Sequence, residues 1–418
     1  MTLKQFAKSN FLKNVASVFL TKGVLFLVSF GSSILSARVL GPAGRGIIGT
    51  ASTIGGIGAQ FMNLGMHGAN GYMLAHDKTK LGPLWVNTLL LSGAASIVAV
   101  GVYIFLRKTP VFGNLQGVML ILACLYIPVG LYQMLQQNLL VEIGAVGVYN
   151  ALELFQGILY PVLLFLLAFQ HILYPESAFS ATLVSVIASI LIGALFLMKQ
   201  AKGSIRPDGK LFKECLPFGL KSYTASLCSY LVIRFDILMV NYLLGDVQTG
   251  LYTTAVSLSD VLSLLPTALG TVLFPTAAAI SSDRQRSDFM KRTLILLAPT
   301  MGVLTLAAAL LARSVFGPLY GEAFVPSADV FIILMPGIFF MSMQSALSNY
   351  FAAKNMWTGN ILTPLVGLLM NLCINALLIP QWGIRGAAAA SAISYTMMFL
   401  IMFIRFIGDV RKAAEETL

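Results

Sequence analysis

Apolar runs of about 20 residues recur along the whole chain, separated by short polar segments. A helix of that length crosses a hydrocarbon core of about 30 Å. The pattern predicts twelve membrane-spanning helices, at residues 12–37, 46–67, 83–106, 115–138, 147–169, 177–199, 216–243, 250–273, 293–316, 326–351, 357–379 and 385–407. Because the connections are short, the sequence predicts an all-α polytopic membrane protein without a soluble domain.

The composition agrees with a protein that uses the bilayer as its solvent. Hydrophobic residues make up 57% of the 418 residues and charged residues only 10%, whereas a soluble domain carries about 25% charged residues. The first apolar run, 11–37, is longer than the roughly 7–15 residues of a signal-peptide core. It is therefore predicted to be an uncleaved first span.

The basic residues of the chain indicate its orientation in the membrane. The net charge of +11 does not point to nucleic acid, because Lys and Arg cluster in the segments between apolar runs. Eighteen of them fall on the side of the N-terminus, and six fall on the opposite side: Arg38, Arg45, Arg107, Lys108, Arg313 and Arg385. The positive-inside rule therefore predicts that both termini are cytoplasmic.

The two halves of the chain share a motif. Leu40-Gly41, Gly46 and Thr50-Ala51 recur 204 residues later as Leu244-Gly245, Gly250 and Thr254-Ala255. Six spans in each half give both halves the same orientation, so the repeats are predicted to be parallel. The predicted lobes are residues 1–207 and 208–418, joined by a basic loop.

Polar residues inside a bilayer usually face protein or water, so we searched the spans for polar stripes at helical spacing. Spans one, two, seven and eight carry such stripes, which together predict a polar, partly cationic cavity. The candidate substrate-binding residues are Lys22, Gln60, Asn63, His67, Tyr223, Tyr230, Arg234 and Asn241. The alternative is that hydroxyl and amide groups only hold helices together.

Acidic residues within the spans leave two roles open. Asp236, Asp260 and Glu153 are candidate groups for coupling transport to protons or sodium ions. Asp236 or Asp260 is equally a candidate partner for an internal ion pair with Arg234. Lys22 has no acidic neighbour in sequence, although Glu153 or Asp260 is a candidate partner in space.

Motifs of catalysis or nucleotide binding are missing from the sequence. The four cysteines, Cys124, Cys215, Cys228 and Cys373, form no CxxC pair and are predicted to be small apolar residues rather than metal ligands. The loop 203–210 has five residues between its glycines where a phosphate-binding loop has four. We therefore predict a protein that is not an enzyme and has no bound cofactor.

Several segments resemble one family of transporters. Residues 37–46 (ARVLGPAGRG), 265–270 (LPTALG) with Phe274-Pro275, Leu319-Tyr320-Gly321 and 382–388 (WGIRGAA) are similar to segments of bacterial polysaccharide flippases of the MOP (multidrug/oligosaccharidyl-lipid/polysaccharide) superfamily. This resemblance implies two six-helix lobes around a central cavity. It implies alternating access that moves an undecaprenyl-diphosphate-linked oligosaccharide across the bacterial cytoplasmic membrane. It also implies a monomer that works with polysaccharide assembly proteins.

For such a cargo, Lys22 and Arg234 are expected to shield the diphosphate, and Tyr223 and Tyr230 to stack on sugar rings. His67 departs from the small residues usual in the family at this position. Two other functions stay open at this point. An ion-coupled drug or metabolite antiporter of the same superfamily would favour an acidic cavity, and Asp260 is its best candidate. A polysaccharide polymerase or ligase would need a large outer loop, which the sequence lacks.

Overall fold

A computed structural model describes the backbone of residues 10–109, 115–201 and 205–415. The side chains at 10–22, 26, 221–222, 271–272, 357 and 413–415 are outside the description. The side chain of Lys22, a predicted substrate-binding residue, therefore lies outside the described residues. Throughout the described part the regular structure is helical, without strands.

Eleven α-helices follow one another along the described chain. They are α1 (Asn10–Met62), α2 (Met66–His76), α3 (Leu81–Lys108), α4 (Gly117–Glu142), α5 (Val146–Phe169), α6 (Pro175–Gln200), α7 (Gly209–Leu262), α8 (Leu264–Ala279), α9 (Asp283–Tyr320), α10 (Val325–Ala353) and α11 (Trp357–Glu415). Short 3-10 turns, Lys78–Lys80 and Glu322–Phe324, precede α3 and α10. The remaining connections are short, as predicted.

Three of these helices are divided by a glycine whose backbone is not helical. Gly41 has φ 65° and ψ −177° in α1, and Gly245 has φ 79° and ψ −178° in α7. Gly383 has φ 59° and ψ −138° in α11. Such angles are nearly closed to residues that carry a Cβ. We therefore divide α1 into α1a (10–40) and α1b (42–62), α7 into α7a (209–244) and α7b (246–262), and α11 into α11a (357–382) and α11b (384–415).

The helices are long and apolar enough to cross a membrane. Nine candidate spans lie in the described residues, and three of them, 40, 57 and 55 residues long, contain the divided helices. Dividing those three gives twelve segments, which agree with the twelve predicted spans. The outward-facing side chains of many segments are apolar, such as Ile97 on α3 and Phe165 on α5. These surfaces are suited to contact lipid.

The predicted repeat has a structural counterpart at its two glycines. Gly41 and Gly245 occupy equivalent positions of the motif and adopt nearly the same backbone angles. The side-chain hydrogen bonds of the motif are also equivalent. The Thr50 hydroxyl donates to the Gly46 carbonyl, and the Thr254 hydroxyl donates to the Gly250 carbonyl. The motif therefore encodes one local structure that is used twice.

The chain divides into two compact units, residues 1–230 and 231–418. This division falls inside α7a, whereas the lobe boundary at 207/208 stays a prediction. In the first unit, Leu164, Leu173 and Ala178 form a buried cluster with side chains of α1. In the second unit, side chains of α9, α10 and α11b surround Tyr350 and Met402, which are fully buried.

An ionic network ties the helix ends of the second unit together. The Lys354 ammonium, which follows α10, donates to both carboxylate oxygens of Asp409 at 2.7 and 2.8 Å and lies 3.0 Å from Asp283. The Tyr350 hydroxyl also donates to Asp409. Arg286 pairs with Asp283 at 2.5 Å. Helices α9, α10 and α11b are thus joined through charged side chains that are largely buried.

Burial alone would lower the pKa of Lys354, but hydrogen bonds and the charges of Asp409 and Asp283 raise it above its ordinary value. A raised pKa means that the charged lysine stabilises the fold at neutral pH, and that this contribution is lost only as the pH rises through the folded pKa. The network is therefore fully formed under physiological conditions.

Lys354→Met is expected to destabilise the second unit. The substitution leaves Asp409 buried without its cation, and breaking such a pair costs on the order of 3 kcal/mol. For a unit of this size that energy lowers the Tm by roughly 5–10 °C. Thermal unfolding of the full-length protein in detergent measures the change. Lys291→Met is the matched control, because Lys291 pairs with Asp288 at the surface at 3.2 Å; equal Tm shifts for both variants would contradict the buried network.

Candidate functional site

A polar cavity lies among the helices of the first unit. Its volume is about 410 Å³. It is lined by Leu25 and Ser29 of α1a, Gly56, Ala59 and Gln60 of α1b, Tyr126, Gly130, Gln133, Met134 and Gln137 of α4, Glu153, Gln156 and Gly157 of α5, and Tyr230 of α7a. Four glutamine side chains, two tyrosines and one carboxylate give it many hydrogen-bonding groups. Among its described lining residues there is no lysine or arginine.

Helix α4 supplies one wall of the cavity. Tyr126, Gly130, Gln133 and Gln137 are spaced by four, three and four residues, so they share one face of the helix. The Gln133 amide donates to the side-chain oxygen of Gln156 on α5. This contact holds two amides side by side at the cavity wall. Their remaining donors and acceptors suit the hydroxyl groups of a polar ligand.

Two glycines leave space for the cavity. A Cβ at Gly56 would lie 2.2 Å from the Tyr230 hydroxyl oxygen, and a Cβ at Gly157 would lie 2.1 Å from Cδ2 of Leu25. Both distances are shorter than any van der Waals contact. Glycine is therefore needed for Tyr230 and Leu25 to occupy their present positions.

Helices α1b and α2 pack against α7a along one antiparallel line. The Gln60 amide donates to the Ser226 hydroxyl at 3.4 Å, and the Tyr223 hydroxyl donates to the Phe61 carbonyl at 2.6 Å. Further along, Gly65 and Gly219 bring their backbones together. The rings of Tyr72 and Phe218 stack beyond them at 4.2 Å. The polar stripes predicted on spans two and seven thus meet in this part of the first unit.

The structure separates the predicted residues of the first unit into two groups. Gln60, Tyr230 and Glu153 line the cavity. Tyr223 instead bonds the backbone of α1b. Asn63 is buried and accepts a hydrogen bond from the His67 backbone, 3.2 Å away, at the start of α2. Asn63 therefore bonds the first turn of α2, and His67 is exposed and is not among the residues that line the cavity. For both residues the contact with substrate stays a prediction.

In the second unit, Asn241 lies next to the break in α7. Its side chain is only 2% exposed. Its amide donates to Asp246 at 2.8 Å and to Thr249 at 3.2 Å. The Thr249 hydroxyl in turn donates to the Gly245 carbonyl. Asn241 therefore stabilises the break in α7 at Gly245, and its contact with substrate stays a prediction.

The two aspartates of the second unit have different environments. Asp260 pairs with Arg234 at 2.8 Å, and both side chains are about one third exposed. Asp236 is almost fully buried. Its carboxylate accepts hydrogen bonds from the Tyr252 hydroxyl at 2.5 Å, the Ser391 hydroxyl at 2.9 Å and the Ile237 backbone at 2.8 Å. Of the two candidate partners for Arg234, the structure therefore places Asp260 in direct contact.

Comparison with known proteins relates this architecture to a family. The sequence profile described as "Polysaccharide biosynthesis protein" matches residues 35–329, which is most of the chain. The chain belongs to the polysaccharide biosynthesis protein family. A relative in Haloferax volcanii, named "Probable low-salt glycan biosynthesis flippase Agl15", is 22% identical over 226 residues, which is 52% of this chain and 47% of that protein. The alignment thus spans about half the length of this relative.

Solved structures show that this polysaccharide biosynthesis protein has the fold of MOP-superfamily transporters. A multidrug resistance MATE family transporter, in an inward-facing conformation, matches with a TM-score of 0.73 and 15% identity, over 94% of this chain and 96% of that one. The lipid II flippase MurJ, in an inward closed conformation, matches with a TM-score of 0.72 and 14% identity, over 95% and 89%. The predicted fold class is confirmed.

Four residues lining the cavity of this polysaccharide biosynthesis protein were missed by the sequence analysis: Tyr126, Gln133, Gln137 and Gln156. A signal for them exists, because three of the four lie on one face of α4. The predicted polar stripes lie on spans one, two, seven and eight, whereas these residues belong to spans four and five. Glutamine side chains also occur as contacts between helices, as Gln136 shows by donating to the Ile190 carbonyl at 2.9 Å.

Proposed function

We propose that the protein translocates an undecaprenyl-diphosphate-linked oligosaccharide across the bacterial cytoplasmic membrane by alternating access, for the synthesis of a surface polysaccharide. The observation that carries the proposal is the amide-rich cavity of the first unit. Membership of the polysaccharide biosynthesis family and the name of the Haloferax relative support the same cargo class. The MATE and MurJ fold supports a transport mechanism.

The chemistry of the cavity is suited to the sugar part of the cargo. Sugars present many neutral hydroxyl groups, and glutamine amides both donate and accept hydrogen bonds. Tyrosine adds an apolar ring that packs against the faces of sugar rings and a hydroxyl that bonds their edges. Tyr126 and Tyr230 supply this combination in the cavity. Ligand cavities generally combine apolar surface with a few placed polar groups in this way.

The diphosphate of the cargo requires cations, since two negative charges are costly to move through hydrocarbon. In our proposal Arg234 is one of them, with Asp260 as its counter-ion while no substrate is bound. Lys22 is the second. In sequence it precedes Leu25 by three residues and Ser29 by seven, and both of these residues line the cavity. Lys22 therefore stays a candidate cation for the diphosphate.

Substitution of the cavity amides tests the proposal. Gln133→Leu combined with Gln137→Leu is expected to reduce glycan export at least fivefold, because buried sugar hydroxyls lose their hydrogen-bond partners. Export is measured as surface polysaccharide in a deletion strain that carries the variant, together with accumulation of lipid-linked oligosaccharide in the cytoplasmic leaflet. Gln200→Leu at the exposed end of α6 is the control. Normal export by the double variant would show that the cavity is not part of the transport path.

An ion-coupled antiporter for organic cations is the second candidate, and Glu153 is the observation that favours it. Glu153 places a carboxylate among the residues that line the cavity, and a carboxylate attracts cations. Glu153→Gln distinguishes the two functions, because it would abolish binding of tetraphenylphosphonium to an antiporter. For a flippase, we expect the purified protein to bind a lipid-linked oligosaccharide but not tetraphenylphosphonium, and Glu153→Gln to keep most of its export.

A membrane-embedded polymerase or ligase has less support. Such enzymes hold catalytic groups in large loops, whereas the outer loops that the sequence predicts here are about ten residues long or shorter. Linkage analysis of the polysaccharide made by a deletion strain separates failed polymerisation from failed translocation. We expect unpolymerised lipid-linked units on the cytoplasmic side.

A further inference from the structure

Two arginines of the second unit share one carboxylate at the surface. Arg313 of α9 donates to Oδ1 of Asp329 at 3.1 Å, and Arg385 of α11b donates to Oδ2 of the same residue at 2.5 Å. The arginine side chains are 75% and 61% exposed, whereas Asp329 of α10 is 23% exposed. Three helices therefore bring two guanidinium groups together around one partly buried carboxylate.

The charges of this cluster do not cancel. One carboxylate neutralises one guanidinium, so the group of three keeps a charge of about +1 at neutral pH. Each guanidinium has five N–H donors in a planar fork, and each uses one nitrogen for Asp329. The donors that point to the surface match the spacing of phosphate oxygens.

The surroundings of the cluster are typical of side chains at the level of lipid headgroups. On α9 the exposed side chains Val303, Leu306 and Leu310 form a stripe at steps of three and four residues, and Arg313 is the next residue of that stripe. On α11a the exposed side chains include Leu369, Leu377 and Trp382, which is 60% exposed, and Arg385 follows after the break at Gly383. Exposed apolar side chains that give way to tryptophan and arginine are typical of the boundary between hydrocarbon and headgroups.

The distribution of basic residues adds a further argument. Arg313 and Arg385 are two of only six basic residues that the sequence predicts on the extracytoplasmic side. A side on which positive charge is scarce nevertheless holds two arginines on one carboxylate. Snorkelling alone would need no such pairing, because each arginine could reach water separately.

We propose that Arg313 and Arg385, held by Asp329, bind the phosphate group of a membrane lipid at the extracytoplasmic surface of the membrane. The ligand is a lipid whose headgroup carries a net negative phosphate charge. It comes either from the bulk anionic phospholipid or from the polyprenyl diphosphate carrier. The site belongs to the second unit, and none of its three residues lines the cavity of the first unit.

Quenching of Trp382 by brominated lipids tests this site in the full-length protein. Trp85→Phe and Trp357→Phe leave Trp382 as the one tryptophan of the chain. The protein is placed in phosphatidylcholine nanodiscs that contain a small fraction of brominated phosphatidylglycerol or brominated phosphatidylcholine. We expect the phosphatidylglycerol to quench with an apparent affinity at least fivefold higher.

Arg313→Gln combined with Arg385→Gln should reduce that preference to the level of phosphatidylcholine, while Arg107→Gln with Lys108→Gln should leave it unchanged. This control removes two exposed positive charges from the same predicted side. The lysine version, Arg313→Lys with Arg385→Lys, should keep part of the preference, because it retains charge but loses the planar fork. The elution volume in size-exclusion chromatography and the Tm verify that each variant is folded. If the double variant does not fold, the single variant Arg313→Gln is measured in its place.

Added undecaprenyl diphosphate distinguishes the two sources of phosphate. Displacement of brominated phosphatidylglycerol at equal mole fraction identifies the carrier as the preferred ligand, and persistence of quenching identifies bulk phospholipid. Equal quenching by both brominated lipids in the protein with native arginines would overturn the proposal. So would an unchanged preference in the double glutamine variant.

Discussion

Gly219→Ala is expected to reduce glycan export more than tenfold. A Cβ on Gly219 would lie 2.6 Å from the Gly65 carbonyl oxygen and 2.7 Å from its carbon. Ordinary contacts between carbon and oxygen are about 3.3 Å or longer, so α7a must move away from the turn before α2. Both obstructing atoms belong to the backbone, which cannot move aside as the end of a side chain can.

The displacement is expected to reach the cavity through α7a. Tyr223 lies one helical turn beyond Gly219 and bonds the Phe61 carbonyl, and Tyr230 lines the cavity. A shift of the helix therefore breaks one hydrogen bond and changes the position of one cavity wall. Gly65→Ala should have a similar effect for a second reason, because Gly65 has φ 77°, which a residue with a Cβ seldom adopts.

Gly101→Ala is the matched control for this substitution. Gly101 lies in the exposed part of α3, and no atom lies within 4 Å of its ideal Cβ position. Alanine also favours a helix more than glycine does, so export and Tm should stay the same or rise slightly. The measurement is surface polysaccharide per unit of inserted protein. Normal export by Gly219→Ala at normal expression would show that the close contact has no part in function.

The spans could be predicted from sequence because they depend on a local property. Twenty apolar residues in a row must be buried in lipid or protein, wherever they lie in the fold. The repeat could be predicted for a similar reason, because the backbone angles of Gly41 and Gly245 require glycine whatever surrounds them. Such features depend only on residues that are close together in the sequence.

The partners of polar side chains could be predicted only in part. The helical spacing of Gln60 and Tyr230 indicated that both face a polar interior, and both line the cavity. The same spacing selected Asn63 and Asn241, which bond backbone or side chains near breaks in their own helices. Periodicity shows which face of a helix is polar, but it does not show whether a group on that face is already hydrogen-bonded.

The choice between Asp236 and Asp260 as the partner of Arg234 also needed coordinates. Asp236 is closer in sequence, but a step of two residues places it on a different face of the helix from Arg234. Its carboxylate is surrounded by Tyr252 and Ser391. Asp260 lies 26 residues away and meets Arg234 directly. Which of two acids approaches a cation depends on how the helices pack, and packing is not visible in the spacing of one span.

Arg234→Gln is expected to reduce export more than tenfold, whereas Asp260→Asn should keep at least half of it. In the proposed mechanism Arg234 provides a positive charge for the diphosphate, and Asp260 only neutralises it between transport cycles. The ion pair is 2.8 Å long and about one third exposed, so its own contribution to stability is small, about 1 kcal/mol or less. Loss of the pair therefore explains little of the expected defect, and loss of the positive charge explains most of it.

The double variant Arg234→Gln with Asp260→Asn separates the two roles of Arg234. If the arginine served only to neutralise Asp260, removing both charges together would restore export, as a double-mutant cycle reveals for coupled residues. We expect no recovery, because the substrate still lacks its cation. Arg234→Lys should be intermediate, since it keeps the charge but loses the paired donors that suit phosphate. Normal export by the double variant, together with an Asp260→Asn defect as large as that of Arg234→Gln, would contradict the proposal. It would show that the ion pair serves only to stabilise the fold and that other residues bind the diphosphate.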